Sequence, residues 1–246
     1  MKEKIRKVLL IVCIAVFCYS AFQLYSIYNK YRVVRNQNKA LESEVVEKNE
    51  EDASTFHVDF DKLKSMNEDT IAWINIENTE LSCVVMQTPD NDFYLRRNFD
   101  KEYSFAGTLF IDCSNKPDFS DFNTIMYGHN NRGNSMFGVL RNYRKDENYH
   151  IEHPYVDIYV DHKKMRYQIF SVKEVTLDST LTYYIVENNE ELQQNMINEW
   201  ISTSMYDFGV EVNTSDKILT LSTCVDTLDD AYRFVVNAKL IEVTEA

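Results

Sequence analysis

The sequence predicts a mainly β fold, an eight-stranded barrel with helices before the first strand and one long helix between the sixth and seventh. Three observations predict it. Eight short segments rich in β-branched and aromatic residues follow one another at 71–76, 81–86, 108–112, 123–127, 156–160, 165–177, 217–223 and 232–243. Between the sixth and seventh, Leu192, Met196, Ile197, Trp200 and Ile201 recur at three and four residues, the spacing of one apolar helix face, and predict a helix over 188–204. Only 5 glycines and 3 prolines stand against 16 tyrosines and 14 phenylalanines, which favours a packed domain over a linker-rich chain.

Taken in order, residues 1–7 carry Lys2, Lys4, Arg6 and Lys7 and read as a cytoplasmic N-terminus. Residues 8–28 are an apolar and aromatic run of about 21 residues, long enough to cross a bilayer. No small-x-small cleavage site follows it, so an uncleaved anchor is expected rather than a signal peptide. Phe17 occupies the place where a lipidation signal at Cys18 would need a small residue. Residues 29–55 are polar and charge-rich and read as a stalk; Val33, Val34, Leu41, Val45 and Val46 support a helix there, too sparsely spaced to bury much surface. The folded domain is expected over 56–246, opening with a short amphipathic helix at 56–67 on Phe56, Phe60 and Leu63. A second, shorter helix is expected around 135–143. A domain of about 190 residues buries about 70% of its unfolded surface and needs no disulfide framework.

The net charge of −13 excludes a nucleic-acid partner, because binding a phosphate backbone depends on clustered Lys and Arg. Past the apolar run the chain holds Cys83, Cys113 and Cys224, an odd number for an exported domain. Either Cys83 and Cys113 are inert strand residues or they pair; both readings leave Cys224 alone.

Two segments point to chemistry. The apolar run TLSTC ends at Cys224, and the next strand carries Arg233. The run TIMYGHN places His129 at a strand end behind Gly128, whose expected role is backbone freedom. A thiolate is the nucleophilic form of cysteine, so Cys224 needs a partner for its proton or its charge. Imidazole titrates near neutrality and can return a proton to a leaving amine. Guanidinium stays charged and offers planar donors to a carbonyl or an oxyanion.

In TLSTC, YGH and the trailing Arg233, in that order behind an N-terminal anchor, the chain resembles the sortases, over about residues 56 to 243. The resemblance implies the sortase eight-stranded barrel, with His129, Cys224 and Arg233 meeting in one cleft. The class B subgroup is the most similar, because it too has helices before the first strand and a long helix between strands six and seven. Its likeness at NDFYL (91–95) and TLTYYI (180–185) implies that Asn91, Leu95, Thr180, Tyr184, Ile185, Ser222 and Thr223 contact the substrate. The implied activity is a membrane-anchored cysteine transpeptidase on the outer face of a Gram-positive cell. It would cleave a C-terminal sorting signal at a Thr carbonyl through a thioester and transfer the protein to a peptidoglycan amine. The implied partners are sorting-signal-bearing surface proteins, a lipid-linked peptidoglycan precursor and the membrane.

Rival readings are a pilus-type sortase, an exported cysteine peptidase and a non-catalytic peptide-binding module. The last strand ends close to Ala246 with no second apolar segment, which counts against the pilus type, and the presence of all three central residues counts against the dead module. No metal or other cofactor is expected. His57, His150, His153 and His162 form no ligand spacing, and Asp112, Asp118 and Asp121 read as a solvated loop. Asp226 and Asp230, near Cys224, either orient a neighbour or close the turn, the second being the plainer reading.

Overall fold

A computed structural model of the 246-residue chain describes residues 2–49, 52–130, 136–176, 181–186, 188–224 and 232–245. At Lys2, Asn49, residues 52–55 and Cys224 it describes the backbone alone. Thr180, Asp226 and Asp230 lie outside the described residues.

A helix, α1 (Lys2–Val45), leads into an antiparallel hairpin of β1 (Val46–Asn49) and β2 (Asp52–Val58), then α2 (Phe60–Met66). The barrel follows: β3 (Thr70–Asn75), β4 (Ser82–Met86), β5 (Leu109–Ile111), β6 (Asn123–His129), β7 (Tyr155–Val160), β8 (Lys163–Thr176), β9 (Ile218–Cys224) and β10 (Tyr232–Glu245). Short helices α3 (Asn142–Lys145) and α4 (Tyr149–Glu152) fall between β6 and β7, and α5 (Glu190–Ser202) falls between β8 and β9. The eight strands close in the order β10-β8-β7-β3-β4-β5-β6-β9. The β4–β5 and β6–β9 pairs are parallel and the others antiparallel. The eight expected strands and the long helix are all present, each within about two residues of its expected bounds.

Both faces of the wall are covered over much of its circumference, so β4, β6 and β9 are buried almost without interruption. Ile74, Val85, Ile158, Ile169, Leu219 and Val236 fill the interior. Outside, Leu41, Val45, Val58, Phe60 and Leu63 cover Trp73, Val84 and Tyr159. On another sector, Met196, Ile197 and Trp200 of α5 cover Phe122, Phe170 and Ile218. Side-chain caps set the helix starts: Asp59 accepts from the Lys62 amide at 2.8 Å and Asn189 from the Leu192 amide at 3.0 Å.

Four expectations change. Phe56 belongs to β2, where its ring stacks on Tyr159 with centroids 4.6 Å apart, and the helix begins only at Phe60 behind its Asp59 cap. The segment read as a sparsely apolar stalk buries Val34, Leu41 and Val45, because steps of seven and four keep these three on one helical stripe. On α5, Ile201 is exposed and Gln193 is buried in its stead, its amide donating to the Val186 carbonyl. Asp112 and Asp121 are not solvated: Asp121 is buried and accepts from Asn115 and the Lys116 amide, while Asp112 accepts from Asn91, Tyr127 and the Ser114 amide.

Candidate active site

The parallel β6–β9 ladder pairs His129 with Cys224 at its last step. On the other side of β9, Val235 pairs with Ser222, and each step forward on β9 is a step back on β10. That pair is the last of the ladder at this end, and Cys224 and Arg233 each lie two residues past it on neighbouring strands. His129 and Cys224 are thus paired, and Arg233 lies on the strand next to Cys224, near the same end of the barrel. At this end β9 and β10 part, and the Thr223 hydroxyl takes up the Phe234 amide at 3.0 Å.

Gly128 matters for space rather than for backbone freedom. It keeps regular pairing with Thr223, but a Cβ there would stand 2.3 Å from Leu109 Cδ2 and 2.8 Å from Phe137 Cδ2. The strand end is thus clamped between two side chains just before His129, which is only 7% exposed. The His129 Nε2 lies 2.7 Å from the Leu95 carbonyl oxygen. A carbonyl only accepts, so the proton of this bond sits on Nε2. Arg233 is half-exposed, with Nη1 3.4 Å from the Tyr232 carbonyl.

A cleft of about 700 Å³ opens at this end, lined by His129, Arg233, Leu95, Ser222, Thr223 and Asn91 among others. Of the residues expected to touch substrate, those last four line it. Asn91 does so with its amide committed, Nδ2 donating to Asp112 and Oδ1 accepting from the Cys113 amide. Tyr184 and Ile185 are not among the described lining residues. Tyr184 is exposed and its carbonyl accepts from Asn123 Nδ2, while its neighbour Tyr183 faces the cleft and shares a 2.9 Å hydroxyl contact with Ser222.

Sequence reasoning also missed Tyr127 and Phe110. Tyr127 pairs with Ser222, its ring stacks on Tyr183 with centroids 6.3 Å apart, and its hydroxyl donates to Asp112 at 3.1 Å. Strand alternation counted back two residues from His129 would have found it. Choosing between Tyr183 and Tyr184 has no such guide, because that segment is a single 3₁₀ turn, Leu181–Tyr183.

Cys83 and Cys113 are free thiols. Burial pushes the Cys83 thiol up to about 12, so it stays protonated and unreactive at neutral pH. No group of His, Cys, Asp and Glu among the described residues could hold a metal ion.

The sortase domain model matches residues 74–241. Sortase B of Listeria monocytogenes is 35% identical over 182 residues, 73% of this chain and 72% of that protein. Sortase B of Staphylococcus aureus is 31% identical over 241 residues, 97% of this chain and 96% of that protein. The structure of a Staphylococcus aureus sortase B-substrate complex superposes with a TM-score of 0.70 at 31% identity, covering 75% of this chain and 85% of that one. With that barrel, that domain match and those relatives, the chain belongs to the sortase family, as a cysteine transpeptidase of the sortase B group, whose work is to anchor proteins to the cell wall.

Proposed function

We propose that Cys224 is the nucleophile, His129 the proton carrier and Arg233 the oxyanion donor of a two-step transfer at the outer membrane surface. What carries the reading is the pairing of His129 with Cys224 at the end of β6 and β9, with His129 and Arg233 both lining one cleft there. The Cys224 thiolate attacks a Thr carbonyl in a C-terminal sorting signal and forms the C–S bond. The tetrahedral intermediate expels the downstream amine as the C–N bond breaks, and the imidazolium of His129 gives that amine its proton. The amine of a lipid-linked peptidoglycan precursor then attacks the thioester, His129 takes its proton, and the thiolate leaves.

The Leu95 carbonyl occupies Nε2–H of His129, so Nδ1 is the nitrogen that exchanges the proton. Arg233 is half-exposed and faces the cleft, as an oxyanion donor must; losing such a donor costs about 3 kcal/mol of transition-state stabilisation. Leu95, Ser222, Thr223, Tyr127 and Tyr183 form the walls against which the signal lies. The Thr180, Tyr184 and Ile185 contacts remain part of this proposal, on the segment that carries Tyr183.

We further read α1 as a single membrane span with its N-terminus in the cytoplasm, on the strength of its long apolar stretch behind four basic residues. A tether at the surface where substrate and acceptor both arrive raises their effective concentration. The test is Cys224→Ala with a fluorogenic sorting peptide and an added amine. Loss of both cleavage and amine capture is expected; retained cleavage sinks the nucleophile assignment, and wild-type cleavage without amine capture turns the reading to a peptidase.

A further inference from the structure

The apolar stretch of α1 and the barrel are joined without slack. The helix runs unbroken from Lys2 to Val45. Directly beyond Tyr28, the Tyr31 ring meets Phe105 edge-on with centroids 4.9 Å apart, Val34 enters the main core, and Leu41 and Val45 pack on the outer wall. A helix rises about 1.5 Å per residue, so Tyr31 stands about 4.5 Å beyond Tyr28. The hydrocarbon core is about 30 Å thick and the whole bilayer about 40–45 Å, which leaves roughly 5–7 Å of headgroup layer per side. When residues 8–28 fill the hydrocarbon, Tyr31 and the Phe105 it touches fall inside that layer.

Two independent paths lead from there to His129. Phe105 lies on one arm of a tight hairpin: the Ser104 amide donates to the Arg96 carbonyl at 2.9 Å, and Arg97 bridges to Tyr103. The other arm carries Leu95, whose carbonyl holds the imidazole. Separately, Arg35 and Asn38 of α1 share a cavity of about 510 Å³ with Leu81, Cys83 and Met136. Met136 is bridged to Asn130, the residue after His129. The turn between β7 and β8 lies at the opposite end: Asn75 at the near end of β3 pairs with Asp157, Trp73 pairs with Tyr159, and the turn follows beyond Val160.

We infer that the barrel is seated on the bilayer with its active-site rim toward it, Tyr103 and Phe105 lying in the phospholipid headgroup layer. This seat rests on the reading of α1 as a membrane span. Tyr103 is 78% exposed, an aromatic with an apolar body and a polar tip such as interfaces favour. Lys30 and Arg32, exposed on the same stretch of α1, present cations to the lipid phosphates.

The test places a fluorophore at each end of the barrel. Trp73 and Trp200 are both buried and give a constant background. Tyr103→Trp and, at the opposite end, Lys163→Trp are each reconstituted as the full chain into phosphatidylglycerol–phosphatidylcholine vesicles carrying a nitroxide on the lipid headgroup. The seat predicts that the nitroxide removes at least half of the emission added by Tyr103→Trp and little of that added by Lys163→Trp. Equal quenching of the two in protein that floats with the vesicles overturns the seat alone. Protein that fails to float with the vesicles overturns the membrane span, and the seat with it.

Discussion

Two helical covers lie on the barrel wall, and they are held by different chemistry. The cover made by α1, α2 and the β1–β2 hairpin is apolar: Leu41, Val45, Phe60 and Leu63 press on Trp73, Val84 and Tyr159. The α5 cover adds directional bonds from inside the wall. Lys173, buried in β8, reaches Glu199 at 2.6 Å, and the Ser171 hydroxyl donates to the Trp200 carbonyl at 2.7 Å. Asn123, itself held by Thr220, donates to the Tyr184 carbonyl. Apolar contact fixes that a surface is covered; hydrogen bonds fix where a given atom stands. The second cover borders the segment that brings Tyr183 to the cleft, so its geometry bears on catalysis, while the first bears on stability.

The largest effect that would sharpen this contrast is expected from Glu199→Ala. Burial already holds the Lys173 ammonium below the usual lysine range, and removing its carboxylate leaves a buried cation unpaired. A loss of about 3–5 kcal/mol in denaturant unfolding is expected, with reduced kcat/KM in protein that remains folded. Leu63→Ala, at a fully buried site under the other cover, is expected to cost about 2–5 kcal/mol through transfer and cavity terms. Its kcat/KM well below the melting temperature should stay at the wild-type value; a fall matching that of Glu199→Ala would break the comparison. Gly128→Ala must push Leu109 and Phe137 aside and is expected to cost about 1–3 kcal/mol, together with a lower kcat from a displaced His129, read by peptide cleavage. The smallest effect is expected from Tyr183→Phe, which removes the contact to the Ser222 hydroxyl for about 0.5–1.5 kcal/mol and raises KM for the sorting peptide more than it lowers kcat.

What was legible in the sequence follows from the same physics. Strands bearing β-branched and aromatic residues announce themselves, so the eight-strand barrel and α5 were readable, and TLSTC and YGH marked the strand ends that the register brings side by side. The docking of α1 was not readable, because three aliphatic residues on one stripe over twelve positions make a weak pattern in a polar segment. Nor were the roles of Asp112 and Asp121, whose partners Asn91, Tyr127 and Asn115 come from separate turns and strands. At Gly128 the residue was singled out for its backbone, while the need for it arises from Leu109 and Phe137, neighbours no local pattern discloses.

On the roles proposed for His129 and Cys224, the parallel pairing of β6 with β9 governs when the enzyme comes alive. Antiparallel neighbours can zip from a turn, but these two strands join only after α3, α4, β7, β8 and α5 have been threaded between them, and the Thr220–Asn123 bond that ties them spans 97 residues. A half-finished chain therefore has an imidazole with no sulfur beside it, and the proposed nucleophile lacks its partner until nearly the last segment has found its place.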